Sequence, residues 1–314
     1  LSALEVQRLN VVIDPRGRRL HVLRDLSLSL AAGEVLGVIG ESGSGKTMMG
    51  MSLLRLEPDR SALTADALRL GDVDLLRADA ALLRAVRGRR IGMIFQDPVG
   101  AFNPAKRIGW HAYQVLRRTP GAWRERAVAM LADVDIADGA RVLAAYPHQL
   151  SGGMLQRVLI ALVLAAGPAV VVADEPTTNL DNIVEQQILA LFRRFRGAGA
   201  AAFIFITHDM SVAAGLCDRI AVMYAGEIVE VGDADGVFAD PKHPYTVALI
   251  ETSRALQGEV SRLPELAGEP PGLVGARTGC AFASRCARRL PACTEAPVAM
   301  RPAGGRDVRC ILYG

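Results

Sequence analysis

The sequence has no apolar run able to cross a membrane. Its most apolar stretch, Val158 to Ala173, is broken by Gly167-Pro168 and falls short of the roughly 18–20 apolar residues a span requires. The N-terminal residues lack the basic segment and following apolar run of a secretory signal. Leu1 stands where an initiating Met would, so the first residues are expected to be trimmed or missing. No run of five like charges occurs, which excludes a polyelectrolyte tail. A net charge of only +3, with the signs mixed, does not build the basic surface that nucleic acid needs. Internal repeats and low-complexity tracts are also missing. None of these absences excludes a peripheral role at a membrane.

What is present suits a large folded chain. Its 314 residues suggest one large domain or two ordinary ones. Apolar residues make up 51% and charged residues 22%, the balance of an ordinary globular protein with a sizeable core. Val11–Ile13 and Leu26–Leu30 read as strands around a turn at Pro15-Arg16-Gly17, and Gly33 marks another turn. Val35–Ile39, Val170–Ala173, Phe203–Thr207 and Ile220–Tyr224 are short buried-strand candidates. Between them, residues 97–166 read as mostly helical, with helical spacing over Trp123–Val134 and Gln156–Ala166. Apolar strands alternating with helices predict a parallel sheet covered on both faces. After Asp240 prolines and glycines become frequent and periodic segments stop, so we place a boundary between a domain of residues 1–239 and an extension of 240–314.

Gly40-Glu41-Ser42-Gly43-Ser44-Gly45-Lys46-Thr47 fits the phosphate-loop pattern G-x-x-x-x-G-K-[ST]. Such glycines let backbone N–H groups turn toward phosphate oxygens, Lys46 would reach the β- and γ-phosphates, and Thr47 would ligate Mg²⁺. A glycine loop can match by chance, but this one lies between a strand and a helix, as the chemistry requires. Asp174 ends the apolar run Val170–Ala173, where a carboxylate can hold Mg²⁺. Glu175 follows as a candidate general base for an attacking water. Alone, this pair reads equally well as a helix cap at a strand end. Ser151-Gly152-Gly153 alone reads as a plain helix cap, Gln96 as a solvated loop residue and His208 as a surface histidine.

Taken together, these segments resemble the ATPase subunits of ABC transporters, in the oligopeptide/dipeptide/nickel importer branch. The family signature corresponds to Leu150-Ser151-Gly152-Gly153-Met154 with Gln156-Arg157, the glutamine loop to Phe95-Gln96-Asp97-Pro98, the loop after the catalytic glutamate to Asn179-Leu180-Asp181, and the switch histidine to Thr207-His208-Asp209. The resemblance implies an α/β fold: a P-loop ABC ATPase with a RecA-like parallel-sheet core, an antiparallel β subdomain, a helical signature subdomain and a small irregular C-terminal extension. It implies Glu175 as base, His208 and Gln96 as partners in catalysis, and Thr47, Gln96 and Asp174 as Mg²⁺ ligands. It also implies that Ser151, Gly152 and Gly153 face ATP held by a second subunit, and that Asp181 is a nucleotide-binding residue. Ile13 stands where relatives carry an aromatic residue against adenine, which leaves an aliphatic contact without stacking. Met154 replaces the usual Gln of the signature, as is common in this branch.

The implied assembly pairs the chain with a paralogous second ATPase subunit, two transmembrane permease subunits and an extracytoplasmic substrate-binding protein, at the cytoplasmic face of a bacterial plasma membrane. Peptides lead as cargo, with nickel, metal chelates or opines as alternatives. ATPases of DNA repair carry long coiled coils between phosphate loop and signature, but Thr47 to Leu150 has no sustained heptads. Translation members carry two ATPase domains, and this chain has one. A nucleotide-binding regulator without transport is disfavoured by the intact hydrolysis set.

His243-Pro244-Tyr245-Thr246 opens the tail and by itself reads as a proline turn. Cys280, Cys286, Cys293 and Cys310 are spaced C-x₅-C-x₆-C-x₁₆-C, without the tight C-x₂-C pairs of zinc ribbons. Four thiolates on a looped segment suit a [4Fe–4S] cluster, and the tail resembles those of peptide-importer subunits that carry one. Zn²⁺ and unliganded thiols are the alternatives. The default role of such a staple is structural.

Overall fold

The computed structural model describes residues 2–117, 122–178, 180–197, 201–256, 268–275 and 277–313. The chain opens with β1 (Ser2–Ile13) and β2 (Leu20–Ala31), then β3 (Val35–Ile39), α1 (Lys46–Leu53), β4 (Ser61–Thr64), β5 (Ala67–Leu70) and β6 (Val73–Asp74). Next come α2 (Ala80–Val86), β7 (Ile91–Ile94), α3 (Ile108–Leu116), α4 (Trp123–Ala132), α5 (Gly139–Ala144), α6 (Gly152–Ala165), β8 (Val170–Asp174) and α7 (Asn182–Gly197). Then follow β9 (Ala202–Ile206), α8 (Met210–Leu216), β10 (Arg219–Tyr224), β11 (Glu227–Asp233), α9 (Ala234–Ala239), α10 (Pro244–Leu256), β12 (Arg301–Ala303) and β13 (Arg306–Val308). By internal contacts the chain forms two units, Leu1–Ala78 with Ile204–Gly314, and Asp79–Phe203.

The first unit holds two sheets. One is antiparallel, in the order β2-β1-β5-β6, with β4 also pairing β1. Its buried side chains come from alternating positions, Leu4 and Val6 on β1 and Leu26, Leu28 and Leu30 on β2, as expected of a sheet with one face on the core. The other sheet runs β12-β13-β11-β10-β3-β9 in this unit. β3 and β10 are parallel neighbours, while β11 joins β10 antiparallel. All five residues of β3 are buried, so the apolar run in the sequence marks a strand covered on both faces. Each fully buried Val, Leu or Ile of such a strand contributes about 1.5–3 kcal/mol relative to exposure.

In the second unit β7 and β8 pair in parallel from Ile91↔Val170 to Ile94↔Ala173. Helices α3 to α6 fill the region that reads as helical in the sequence. α4 stops at Ala132, short of the expected Val134, where Asp135 takes a left-handed φ of 60° that a helix cannot continue through.

The tail is less irregular than its composition suggests. Periodic structure does not stop at Asp240, because α10 begins at Pro244. Proline at the first helical position loses no helical hydrogen bond, and His243 caps the end: its Nδ1 accepts from the Tyr245 N–H at 3.0 Å. Burial holds this imidazole neutral, pushing its pKa down to about 3. Farther on, β12 and β13 form a hairpin that pairs with β11 through Glu230↔Val308 and Val231↔Asp307.

Candidate functional site

The phosphate loop joins β3 to α1 in the first unit. A Cβ on Gly40 would lie 2.1 Å from the Met223 carbonyl oxygen, and Gly45 has φ 102°, so neither position accepts a side chain without rearrangement. Lys46 is buried, and its Nζ donates to the carbonyl oxygens of Gly40 at 2.8 Å and Glu41 at 3.0 Å. The ammonium is thus held over the loop on carbonyls that an incoming anion can replace as partners. Ser44 Oγ is buried with no hydrogen-bond partner among the described residues. Ser42, Gly43 and Thr47 are exposed to solvent. Polar donors around a glycine turn at a helix start form an anion cradle.

His208 is also exposed, two residues after the end of β9 in the same unit. The following Asp209 caps α8, its Oδ1 accepting from the Ser211 and Val212 N–H groups at 2.7 and 3.1 Å. Ile13 ends β1, opposite Leu20 and Ser61, and is half-buried.

In the second unit Asp174 is buried at the end of β8. The next residue, Glu175, has φ 43°, a left-handed backbone that costs a non-glycine residue about 1–3 kcal/mol and is concentrated at functional positions. Its Oε2 accepts from Gln96 Nε2 at 3.1 Å and from Thr178 Oγ1 at 2.9 Å. Gln96 and Glu175, 79 positions apart, are therefore brought together. The sequence reading missed Thr178. Its signal is local: a hydroxyl three positions on, in a turn closed by the Thr178 N–H donating to the Glu175 carbonyl at 3.2 Å.

The signature segment starts α6 in this unit. Ser151 is the N-cap, its Oγ accepting from the Met154 N–H at 3.3 Å. Gly152 is open to solvent, whereas a Cβ on Gly153 would meet Val184 Cγ1 at 2.6 Å, so Gly153 lets α6 approach α7 closely. Asp181 caps α7, its Oδ1 accepting from Ile183 and Val184 N–H at 3.1 and 3.0 Å. Asn179 lies outside the described residues. Helices α3, α4 and α5 line a separate groove bearing Trp110, Tyr113, Trp123 and Tyr146; Trp110 and Tyr113 are each 42% exposed.

Cys280, Cys286, Cys293 and Cys310 line one small cavity with His243 and Phe282. Burial pushes the Cys280 thiol up to about 11, and the other three thiols push it the same way. Cys286 and Cys310 are likewise raised, first by burial. Among the described residues, however, no group of three or more His, Cys, Asp or Glu is placed to hold a metal ion.

Residues 23–178 match the family model described as ABC transporter, and residues 229–293 match that of the oligopeptide/dipeptide transporter C-terminal region. The chain is 39% identical over 297 residues to the dipeptide transport ATP-binding protein DppD of Bacillus subtilis, covering 93% of this chain and 89% of that one. It is 37% identical over 312 residues to the oligopeptide transport ATP-binding protein OppD of Salmonella typhimurium, covering 98% and 93%. Its fold is similar to the ATP-binding cassette MJ0796, solved as a dimer in a post-hydrolysis state with ADP and Pi, at a TM-score of 0.62, 25% identity and coverage of 74% of this chain and 98% of that chain.

Proposed function

Because this chain belongs to the ABC transporter family, in its oligopeptide/dipeptide branch, we propose that it is the ATP-hydrolysing subunit that powers import of di- and oligopeptides through a membrane transporter. The observation that carries this reading is the phosphate loop, built as an anion cradle with Lys46 held over it.

We assign Lys46, with Gly40, Ser42, Gly43, Ser44 and Gly45, to the triphosphate, and Ile13 to the adenine. Thr47, Asp174 and Gln96 are assigned to Mg²⁺, an all-oxygen donor set suited to that hard cation; when bound, Mg²⁺ neutralises charge on the phosphates. Glu175 accepts the proton of the attacking water, with Gln96 and Thr178 fixing its carboxylate and His208 assisting at the γ-phosphate. Ser151, Gly152, Gly153 and Asp181 are assigned to ATP bound by a second ATPase subunit, so that closure of the pair depends on nucleotide. Among the described residues no helix is long and apolar enough to cross a membrane. We assign the membrane partners to permease chains, for which the aromatic groove of α3–α5 offers a docking face at the cytoplasmic side. A substrate-binding protein outside the membrane delivers the peptide.

The experiment is Glu175→Gln in the assembled transporter. ATP binding is expected to persist while turnover falls about 10²–10⁴-fold, the usual contribution of a general base. Wild-type turnover in this variant would remove Glu175 from the role.

For the tail we propose that Cys280, Cys286, Cys293 and Cys310 hold a [4Fe–4S] cluster as a structural staple. The support is the cavity that all four line; binding requires the thiols to close up, because no three of them are placed to hold a metal ion in this arrangement. Anaerobically purified protein should contain about four irons per chain, the stoichiometry of that cluster type, and Cys293→Ser should lose them. Zinc in place of iron, or no metal, refutes the cluster.

A further inference from the structure

Glu41, the second residue of the phosphate loop, is gripped from the C-terminal extension at both its backbone and its side chain. Its N–H donates to Tyr245 Oη at 2.8 Å. Its carboxylate accepts two parallel bonds from Arg285, Nη1 to Oε2 at 2.8 Å and Nη2 to Oε1 at 3.0 Å. This is the bidentate fork that gives an Arg–carboxylate pair both strength and direction. The Arg285 side chain is only 4% exposed, so solvent screens the pair little. The remaining polar group of Glu41, its carbonyl, accepts from Lys46. Whatever holds Glu41 therefore also holds a carbonyl partner of the loop lysine.

Arg285 is itself well placed. Nη1 also donates to Tyr224 Oη at 3.2 Å. Its guanidinium lies 5.8 Å from the Tyr224 ring centroid and 5.9 Å from that of Phe282. Phe282 in turn packs edge-on against Tyr224 at 5.3 Å and tilted against Tyr245 at 5.4 Å. A second part of the extension, Pro270 to Leu273, shares the walls of one cavity with Glu41 to Ser44. Two separate segments of the tail thus border the loop, and the one carrying Arg285 lies between Cys280 and Cys286.

We propose that the cysteine-bearing extension positions the phosphate loop, with Arg285 as the positioning residue that acts through Glu41. This rests on reading the loop as the ATP site. Arg285 does not touch the reacting atoms; it fixes the loop that grips the nucleotide, so its loss weakens ATP binding more than the chemical step.

The test is steady-state ATP hydrolysis by the assembled transporter carrying the full chain. Arg285→Ala is expected to raise KM for ATP about tenfold with kcat within about twofold of wild type. Arg285→Lys, which keeps the charge but loses the fork, should fall between the two. Glu41→Gln should raise KM as Arg285→Ala does, and the double variant should be no worse than either single one, since both break one interaction. If Arg285→Ala does not fold, Arg285→Lys and Glu41→Gln carry the measurement. Unchanged KM in the folded single variants, or fully additive effects in the double variant, overturns the proposal. A wild-type chain that binds no ATP overturns the ATPase reading together with this one. Normal wild-type binding with an unaffected Arg285→Ala overturns this one alone.

Discussion

At the scale of single residues, the phosphate loop depends on what its glycines leave out. The Met223 carbonyl oxygen occupies the place of a side chain at Gly40, 2.1 Å from where a Cβ would be, on a backbone with φ 154°. Gly40→Ala must therefore push β10 or the loop aside. Overpacking of this kind costs about 1–3 kcal/mol, and the displacement falls on a carbonyl that Lys46 uses. We expect a lowered thermal midpoint and ATP affinity reduced beyond detection by calorimetry; a variant melting and binding like wild type would show that the contact yields freely. Residues of this kind were legible because their chemistry is contiguous: eight positions in a row carry the pattern from Gly40 to Thr47. Glu175 and Gln96 needed the family pattern to be paired across 79 positions. Arg285 was not legible at all. Its partner is 244 positions away, and nothing in the local sequence separates it from the other arginines of the tail.

At the scale of elements, the tail is tied to the sheet by one buried carboxylate. Glu230 on β11 is fully buried and accepts from the Lys242 and His243 N–H groups at 2.9 and 2.8 Å. It also faces Arg306 of β13 at 3.7 Å, an arginine whose side chain is 4% exposed. One side chain thus fixes the approach to α10 and the hairpin β12–β13 together. Removing Glu230 leaves the Lys242 and His243 N–H groups without their acceptor, while Arg306 keeps Asp240 as a carboxylate partner at 3.2 Å, at a cost of about 1–3 kcal/mol for each unsatisfied buried group. Glu230→Ala is expected to lose about that much in urea denaturation, and Glu230→Gln, which keeps an acceptor for the two N–H groups, should lose less. A loss below about 1 kcal/mol for the alanine variant would mean that the hairpin is held by other contacts. Elements built as unbroken apolar runs, such as β3 and β8, were readable nearly to the residue because burial on both faces leaves a plain trace. α10 was not, because Pro244 reads as a breaker until its place in the first helical turn is known. The short strands β4 to β7 and the amphipathic α7 were passed over. Strands of two to four residues give too few positions for alternation, whereas α7 did carry a signal, with Ile188, Leu189, Leu191 and Phe192 buried along one face.

At the scale of the whole molecule, composition excluded several classes of protein before any motif was read, and the ordered motifs then supplied the family. They did not supply the path of the tail. The sequence suggests an appendage after Asp240, yet β13 pairs with β11 and Leu273 accepts from the His21 N–H on β2 at 2.9 Å. Asp307 comes 76 positions after its partner Val231 (307 minus 231). At ordinary rates of translation the ribosome needs roughly 4–15 s to make that length. For those seconds in the life of every new copy, the outer margin of β11 is bare, with its amides open to any neighbouring nascent strand.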